Sequence, residues 1–587
     1  MDFQSARPII IRVLIPDQKS IVLPPVPGAA SPPAPPATRN RASSPRLPLL
    51  VWITLVIAIV LALPILSVLA NVLVGGPSDT WQHLASTVLP TYVLNTLILC
   101  VGVSFGVILV GVSTAWLVSA HEFRGRRIFE WALVLPMAVP AYVMAYTYTD
   151  LLQFVGPVQT WLRTVTGLTA GQYWFPDVRT VGGAVAVFVF VLYPYVYLLA
   201  RTAFLERAGS MLEVGRSLGL GPWQSFFRIS LPMARPAVAA GAALALMETL
   251  ADFGAVAYFG VPTFTTGIYR AWFSLGDHVV AAQLAATLLG FVALLLFIER
   301  TSRGRARYHD ATVRSRALPG LRLYGIKAAG AITVCLVPLA LGFLLPAGLL
   351  LRMALTNGDA QFGERFIQLA RNSFSVAIIA ALLAVGVALI LAYASRVSRH
   401  GLPKLINRIV GLGYAVPGSV IAVGVLIPVT RLDTWLASTL QLVTGHNPGL
   451  LLTGGIAALV YAYLARFMTV SLQSVEAGLG KIRTSMEDAA RSLGYNRSQT
   501  LLHVHLPLLR GSLLTAGLLV FVDVMKELPA TLVMRPFNFD TLATQAYTLA
   551  SDERLAEAST AALTIVAVGV LPLLLVSWQI ARGRRVD

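Results

Sequence analysis

Charge is what this sequence has least of. Of its 587 residues only 12% are Asp, Glu, Lys or Arg, where a soluble domain carries about 25%, so an ordinary soluble globular protein is excluded. Cysteine is nearly absent. The two present, Cys100 and Cys335, both fall in apolar runs, which excludes a disulfide framework and a cysteine-based metal site. No Gly-x4-Gly-Lys-[Ser/Thr] phosphate loop occurs. The nearest look-alike, Gly480-Lys481, has Val475 where the first glycine belongs and Ile482 where the hydroxyl belongs, so the chain is expected to hydrolyse no nucleotide itself. Histidines with metal-ligand spacing are also missing: His503 and His505 sit two apart, on opposite faces of a helix. No catalytic constellation, resident metal or bound cofactor is therefore assigned, and the chain is not read as an enzyme. Acidic residues are the scarcer sign, 27 against 45 basic, for a net charge of +18. The arginines are dispersed in short loops, which suits orientation in an anionic membrane and argues against nucleic acid as a partner.

What the chain does have is apolar length. Runs of about 20 apolar residues cross the roughly 30 Å hydrocarbon layer as helices, and they are predicted near 49–73, 92–119, 129–150, 181–203, 233–260 and 280–298. A second set is predicted near 325–353, 372–396, 406–430, 449–473, 511–535 and 560–581. The fold class is thus all-α and polytopic, with about twelve spans in the lipid bilayer. Residues 1–48 read as a disordered tail whose second half is rich in Pro and Ala, with too few core-forming residues to fold alone. The run after it is too long and too far from Met1 for a cleaved signal peptide. Basic residues alternate with the spans. The loop 75–92 has none, whereas the next carries Arg124, Arg126 and Arg127, and the most basic carries Arg300, Arg303, Arg305, Arg307, Arg314 and Arg316. By the positive-inside rule both termini are cytoplasmic; the loop with Arg365 and Arg371 fits that alternation least well.

The chain also repeats itself. Residues 210–232, SMLEVGRSLGLGPWQSFFRISLP, recur at 485–507 as SMEDAARSLGYNRSQTLLHVHLP, with Gly219 and Gly494, like Pro232 and Pro507, 275 residues apart. Both copies open with Ser-x-x-[Glu/Asp], which predicts a capping box and a short helix beginning at Ser210 and Ser485. Each helix is expected to stop at the glycine, where a left-handed backbone is available. Asn95 and Asn372, and Ala-Val-Pro at 138–140 and 415–417, match at a spacing of 277; Phe264 and Phe539 match at 275. Six spans separate equivalent points, so the halves share one orientation and are expected to be related by a pseudo-two-fold axis along the membrane normal. The organisation predicted is a tail 1–48, a first transmembrane domain 49–298, a basic linker 299–324 and a second transmembrane domain 325–587. An amphipathic island in a cytoplasmic loop reads either as an interfacial helix or as a docking knob for a soluble partner. Two such knobs on a two-fold ask for a two-fold symmetric partner.

At these residues the sequence resembles the membrane permeases of binding-protein-dependent ABC importers, whose loop signature is roughly Glu-Ala-Ala-x3-Gly-x9-Ile-x-Leu-Pro. In the second half Ala489, Ala490, Gly494, Leu506 and Pro507 fit it, with Asp488 for the glutamate and Val504 for the isoleucine. In the first half Glu213, Gly219, Ile229, Leu231 and Pro232 fit, while Val214 and Gly215 replace the alanines. The resemblance implies two coupling loops, Glu213, Arg216, Ser217, Leu218 and Gly219 in one and Glu487, Asp488, Ala489, Arg491, Ser492, Leu493 and Gly494 in the other. It implies as partners two copies of a cytoplasmic ABC ATPase, which uses ATP and magnesium, and a periplasmic or lipid-anchored solute-binding protein. It implies a bacterial inner-membrane location.

The helix after each island carries charge at matched positions: Glu248 and Asp252 in the first half, Asp523 and Glu527 in the second, with Lys526 added there. Each acidic pair is spaced i, i+4 and shares a helix face, roughly 24–30 Å along the helix from the loop proline. A charge at mid-bilayer costs about 2.5–3.5 kcal/mol, so these side chains are expected to face the bundle interior. Two readings stand together: an ion-pair network between the halves, Lys526 with Glu248 or Asp252, or a lining of the translocation path. Met525 to Leu532 and Glu248 to Gly254 resemble the fused two-copy permeases of ferric-iron importers, which implies ferric iron as cargo. Carboxylates with Tyr142, Tyr146 and Tyr148 supply the hard oxygen donors that ferric ion favours. Thiamine, polyamine and phosphonate permeases share that fold and remain alternatives. An ion-coupled secondary carrier is the alternative of another class.

Overall fold

The computed structural model of the chain describes residues 49–75, 79–169, 171–217, 219–303, 321–357, 363–398, 401–446 and 449–583, with side chains except at 74–75, 206–217, 222, 303, 321, 357 and 575–583. The Pro/Ala-rich tail 1–48, most of the linker 299–324, and Leu218 lie outside the described residues. Residues Leu49–Asp587 form one compact unit.

Among the described residues the architecture is all-α, apart from a two-residue parallel bridge between His121–Glu122 and Leu321–Arg322. Ten described helices are long and apolar enough to cross a membrane, or eleven if one bent pair counts as a single span. Twelve were expected, and two of those places explain the difference. The stretch predicted at 129–150 is broken: Arg126–Ala138 and Ala141–Thr166 meet at 91°. The break falls at Pro140, which cannot donate a backbone hydrogen bond and holds the preceding residue extended. The stretch predicted at 449–473 is the helix Ala457–Gly480, which carries Arg466 and Glu476 and is not among the ten.

The pseudo-repeat is visible in hydrogen bonds. Asn95 Nδ2 donates to the Pro262 carbonyl at 2.9 Å, and Asn372 Nδ2 donates to that of Asp540 at 3.0 Å. Capping boxes start the helices Phe264–Phe273 and Leu542–Ser551, on Thr263 and Thr541. These two threonines are 278 residues apart, not 275, so Phe264 is equivalent to Leu542 and the sequence match with Phe539 is a coincidence of register. The three extra residues are absorbed in the turn around Asn538, whose φ is +58°, a conformation that asparagine tolerates better than most.

The halves interlock. The first helix, Leu49–Gly75, packs on Gly418–Thr444 of the second half, and the helix that opens the second half, from Gly325, reaches the first half's Leu89–Ala120 and Arg126–Ala132. Close approach is needed in both places. A Cβ at Gly424 would stand 2.2 Å from the Pro64 carbonyl oxygen, and one at Gly342 would stand 2.7 Å from that of Phe190. A single apolar core runs through both halves.

Candidate functional site

Both helices that follow the islands end early. Leu231–Ala251 stops one residue before Asp252, and Leu506–Met525 stops one residue before Lys526. The i, i+4 argument therefore holds for neither pair, because Asp252 and Glu527 stand in breaks rather than on the helix. Each break carries a residue that disfavours continuation, Gly254 in one and Pro529 in the other. Short helices, Gly254–Tyr258 and Pro529–Met534, follow. The displaced carboxylates cap them. Asp252 Oδ1 accepts the amide of Ala255 at 2.9 Å, and Glu527 Oε1 accepts that of Ala530 at 2.9 Å. An acid at a helix N-terminus satisfies donors that have no partner within the helix.

These breaks bring the charges together. Glu248, Asp252, Asp523, Lys526 and Glu527 all line one cavity of about 110 Å³. Both halves build its wall. Arg466, Tyr414, Tyr142 and Tyr195 line it as well, and neither Arg466 nor Tyr414 was singled out in the sequence. Arg466 is legible there in principle, as a lone arginine inside a predicted span. Tyr414 is not, since nothing in the sequence distinguishes it from an interfacial tyrosine. Tyr146 and Tyr148 lie elsewhere: the Tyr148 hydroxyl donates to the Leu341 carbonyl at 2.6 Å, and Tyr146 packs on Tyr142 and Tyr258.

The predicted cross-pair of Lys526 with Glu248 or Asp252 does not form. Lys526 Nζ instead lies 2.9 Å from Asp523 Oδ1, one turn back in its own segment. Among the chamber's side chains, the Tyr414 hydroxyl crosses between the halves, donating to Glu248 Oε1 at 2.7 Å. Arg466 Nη1 donates to Glu527 Oε1 at 2.9 Å. Glu527 also accepts the Thr531 amide at 3.0 Å and its hydroxyl at 2.7 Å on Oε2, so this carboxylate is saturated. Glu248 and Asp252 form no ion pair among the described residues. The cavity thus sets four carboxylates against two cations.

A second cavity, of about 1110 Å³, shares Met137, Asp523 and Lys526 with the first and extends past Glu130, Arg201 and Trp131 to Glu122, Arg126 and Arg127. The two cavities therefore adjoin, one reaching a basic loop and the other holding the charges, with Lys526 and Asp523 in the wall they share. No three His, Cys, Asp or Glu side chains converge to cage a metal among the described residues.

The islands differ from expectation at their starts and agree at their ends. The second helix runs Thr484–Ser492, with Arg483 before it and no side-chain cap, so Ser485 and Asp488 form no capping box. Asp488 pairs with Arg491 instead. In the first copy the backbone is helical without interruption over Val181–Ser217, so no new helix begins at Ser210. Side chains at Glu213, Arg216 and Ser217 are outside those described. A capping box does form between Asn496 and Gln499, starting the helix that leads back toward the core. Both glycines stop the chain as predicted, Gly219 with φ +70° and Gly494 with φ +84°. The Tyr495 amide closes the second stop on the Ala490 carbonyl at 3.0 Å, the six-to-one bond of a Schellman end. Glu487, Asp488, Ala489, Arg491, Ser492, Leu493 and Gly494 therefore stand together on one short helix and its glycine stop. Leu493 at its tip is 77% exposed, whereas Glu487 faces inward to Arg396 Nε at 2.5 Å.

The chain is similar in sequence to known transport proteins. The sequence profile of the family described as "binding-protein-dependent transport system inner membrane component" matches residues 107–303. Over 538 residues, 89% of this chain and 97% of the relative, the chain is 27% identical to an Fe(3+)-transport system permease protein of Haemophilus influenzae. It is 30% identical over 207 residues to the molybdenum transport system permease protein of Escherichia coli, covering 33% of this chain and 87% of that protein. The sulfate transport system permease protein of Escherichia coli is 28% identical over 200 residues, 33% of this chain and 69% of its own length.

Proposed function

The chain belongs to the inner membrane components of binding-protein-dependent transport systems, and from that premise we propose that it forms the whole translocation pathway for ferric iron in an ATP-driven importer. An external binding protein delivers the cargo to the outer mouth. Two cytoplasmic ATPase subunits seat on the islands at Gly219 and Gly494, and their closure rocks the halves so that access alternates. Residues 49–298 and 325–587 serve as the two transmembrane domains. The termini and both islands are cytoplasmic by the distribution of basic loops, so the larger cavity, lined by Arg126 and Arg127, lies on the inner side of the chamber.

The observation that carries the cargo assignment is the chamber's charge. Four carboxylates face two cations, a formal excess of two negative charges in a site walled by low-dielectric protein. Such a site attracts a cation and opposes an oxyanion such as the sulfate for which one of the relatives is named. Hard oxygen donors on Glu248, Asp252 and Tyr414 suit ferric ion. The full-length relative named for Fe(3+) supports the same choice.

Uptake of radiolabelled iron, molybdate, sulfate and thiamine is to be compared in cells with and without this chain. Iron uptake alone is expected to fall in its absence. Unchanged iron uptake with lost uptake of another solute overturns the assignment.

A further inference from the structure

The two halves of the chamber are not equivalent, and the difference has a direction. The first half contributes carboxylates without cations. Glu248 and Asp252 form no ion pair among the described residues, and at the positions 275 residues before Lys526 and Arg466 the first half has Ala251 and Val191. Both of these also line the chamber. The second half contributes every cation. Of its two, Arg466 is sealed: it is 8% exposed and locked on Glu527, which is 4% exposed. Lys526 is different. Its side chain is 30% exposed, and the Asp523 side chain it pairs with is 15% exposed, at the junction where the two cavities meet.

Two further groups point to a ligand here. Tyr142 lines the chamber, is only 4% exposed, and its hydroxyl has no hydrogen-bond partner among the described residues; Arg466 Nε is likewise buried without a partner among them. A buried polar atom without a partner costs about 1–3 kcal/mol, a cost removed when something polar occupies the space before it. Opposite, the Tyr414 hydroxyl already points its proton at Glu248 Oε1, 2.7 Å away.

We propose that the chamber is a transit site for a hard trivalent cation, with Tyr414 as its metal-facing donor, Glu248 as the acceptor of the Tyr414 proton, and Lys526 as a tethered counter-ion that the cargo displaces. This rests on the ferric reading above. In the empty transporter the Lys526 ammonium neutralises Asp523 and offsets only part of the chamber's negative charge. When the cation enters, Tyr414 passes its hydroxyl proton to Glu248 and binds as phenolate, and the ammonium swings away toward the larger cavity. On release the proton returns from Glu248 to Tyr414, and Lys526 returns to Asp523. The lysine keeps the site from becoming a trap. Conduction needs binding favourable enough to enter and weak enough to leave, and the scarcity of clustered ligands here meets that need.

The test uses the full chain in lipid nanodiscs, with ferric nitrilotriacetate as the probe. Wild-type protein is expected to develop the visible charge-transfer absorption of an iron–phenolate bond. Tyr414→Phe is expected to abolish it, and Tyr148→Phe to retain it. Lys526→Met is expected to tighten ferric binding roughly tenfold, the scale of removing one close like charge, and to slow iron uptake in cells. Lys526→Arg keeps the charge and should keep wild-type affinity. Absorption that survives Tyr414→Phe, or Lys526→Met binding no tighter than wild type, overturns the proposal. Iron uptake that persists with no absorption in the wild type removes the transit site and leaves the ferric reading standing. Absorption that depends on Tyr414 in a chain whose loss does not affect iron uptake removes the ferric reading and leaves a cation site.

Discussion

The two halves hold equivalent elements in place with different chemistry. At the base of the first island an aromatic cluster does the holding: Trp116 lies 4.8 Å from Phe226 and 5.4 Å from Phe204, ring to ring. The equivalent positions in the second half are Tyr393, Leu501 and Leu479, and there the joints are polar. Tyr393 donates to the Arg497 carbonyl at 2.7 Å, and Arg396 binds Glu487 and the carbonyls of Leu479 and Ile482. His505 Nε2 stands 3.2 Å from the same Glu487 carboxylate. The first half has Ser119, Leu212 and Ser230 in place of Arg396, Glu487 and His505, so that clasp cannot form there. Nearer the larger cavity the polarity is inverted. Arg201 sits 3.5 Å from Glu130 in the first half, where the second has Glu476 accepting from Asn407 Nδ2 at 2.6 Å. Geometry is repeated while composition is not. A duplicated fold keeps its backbone closures, its glycine stops and its helix caps, because these are fixed by chain geometry. Side-chain pairs at the same joints drift, since any combination that packs and satisfies its polar atoms serves.

The chamber shows the same contrast where it matters for transport, and variants can break it. Glu527 is a sealed, paired carboxylate and Asp252 is an unpaired one, although both cap a short helix. Glu527→Gln leaves Arg466 buried without a counter-charge and is expected to cost about 3–5 kcal/mol, read as lost folded protein on size-exclusion and a lower melting temperature in detergent. Pairing it with Arg466→Met should recover most of that loss. Asp252→Asn keeps a cap oxygen and should cost about 1 kcal/mol or less while iron uptake falls. Equal losses for the two acids would erase the distinction.

A smaller effect is expected at Gly418. A methyl there would stand 2.4 Å from Arg466 Nη1 and 2.7 Å from Glu527 Oε1, forcing the sealed pair apart. Gly418→Ala should cost about 1–3 kcal/mol, measured by the same melts. Gly386→Ala, where an added Cβ meets nothing within 4 Å, is the matched control and should be neutral or slightly stabilising as a helix substitution.

The smallest effect on stability, with the largest on assembly, is expected at the glycine stops. Proline fixes φ near −65°, against +84° at Gly494 and +70° at Gly219. The combined Gly494→Pro and Gly219→Pro chain should insert normally and fail to retain the ATPase on co-purification. The single variants sharpen the comparison of halves: Gly494→Pro, on the clasped and closer-matching loop, should lose more ATPase than Gly219→Pro. Retention by the double variant would exclude the islands as the docking points.

Much of this was written in the residue order. Low charge and long apolar runs determine an all-α membrane protein, because a backbone in hydrocarbon must satisfy its own hydrogen bonds. The repeat of 210–232 at 485–507 determined that the chain is built from two equivalent halves. The glycine stops followed from a conformation that other residues adopt at a cost. That Glu248, Asp252, Asp523, Lys526 and Glu527 belong together followed from matched position and from the cost of charge in a bilayer.

What only the tertiary structure decided is how those charges are shared. Sequence spacing placed Asp252 and Glu527 on continuous helices, but packing at the seam ended both helices early. A Cβ at Gly254 would stand 2.6 Å from Leu528 of the other half, so the breaks exist where the halves press on one another. Which group meets which carboxylate then depends on helices distant in sequence: Arg466 reaches Glu527 and the Tyr414 hydroxyl reaches Glu248, which leaves Lys526 with its local neighbour Asp523. Local pattern fixes the period and the stops of each segment. Only the packing of distant helices makes Glu527 a structural post on Arg466 and leaves Asp252 without an ion pair among the described residues.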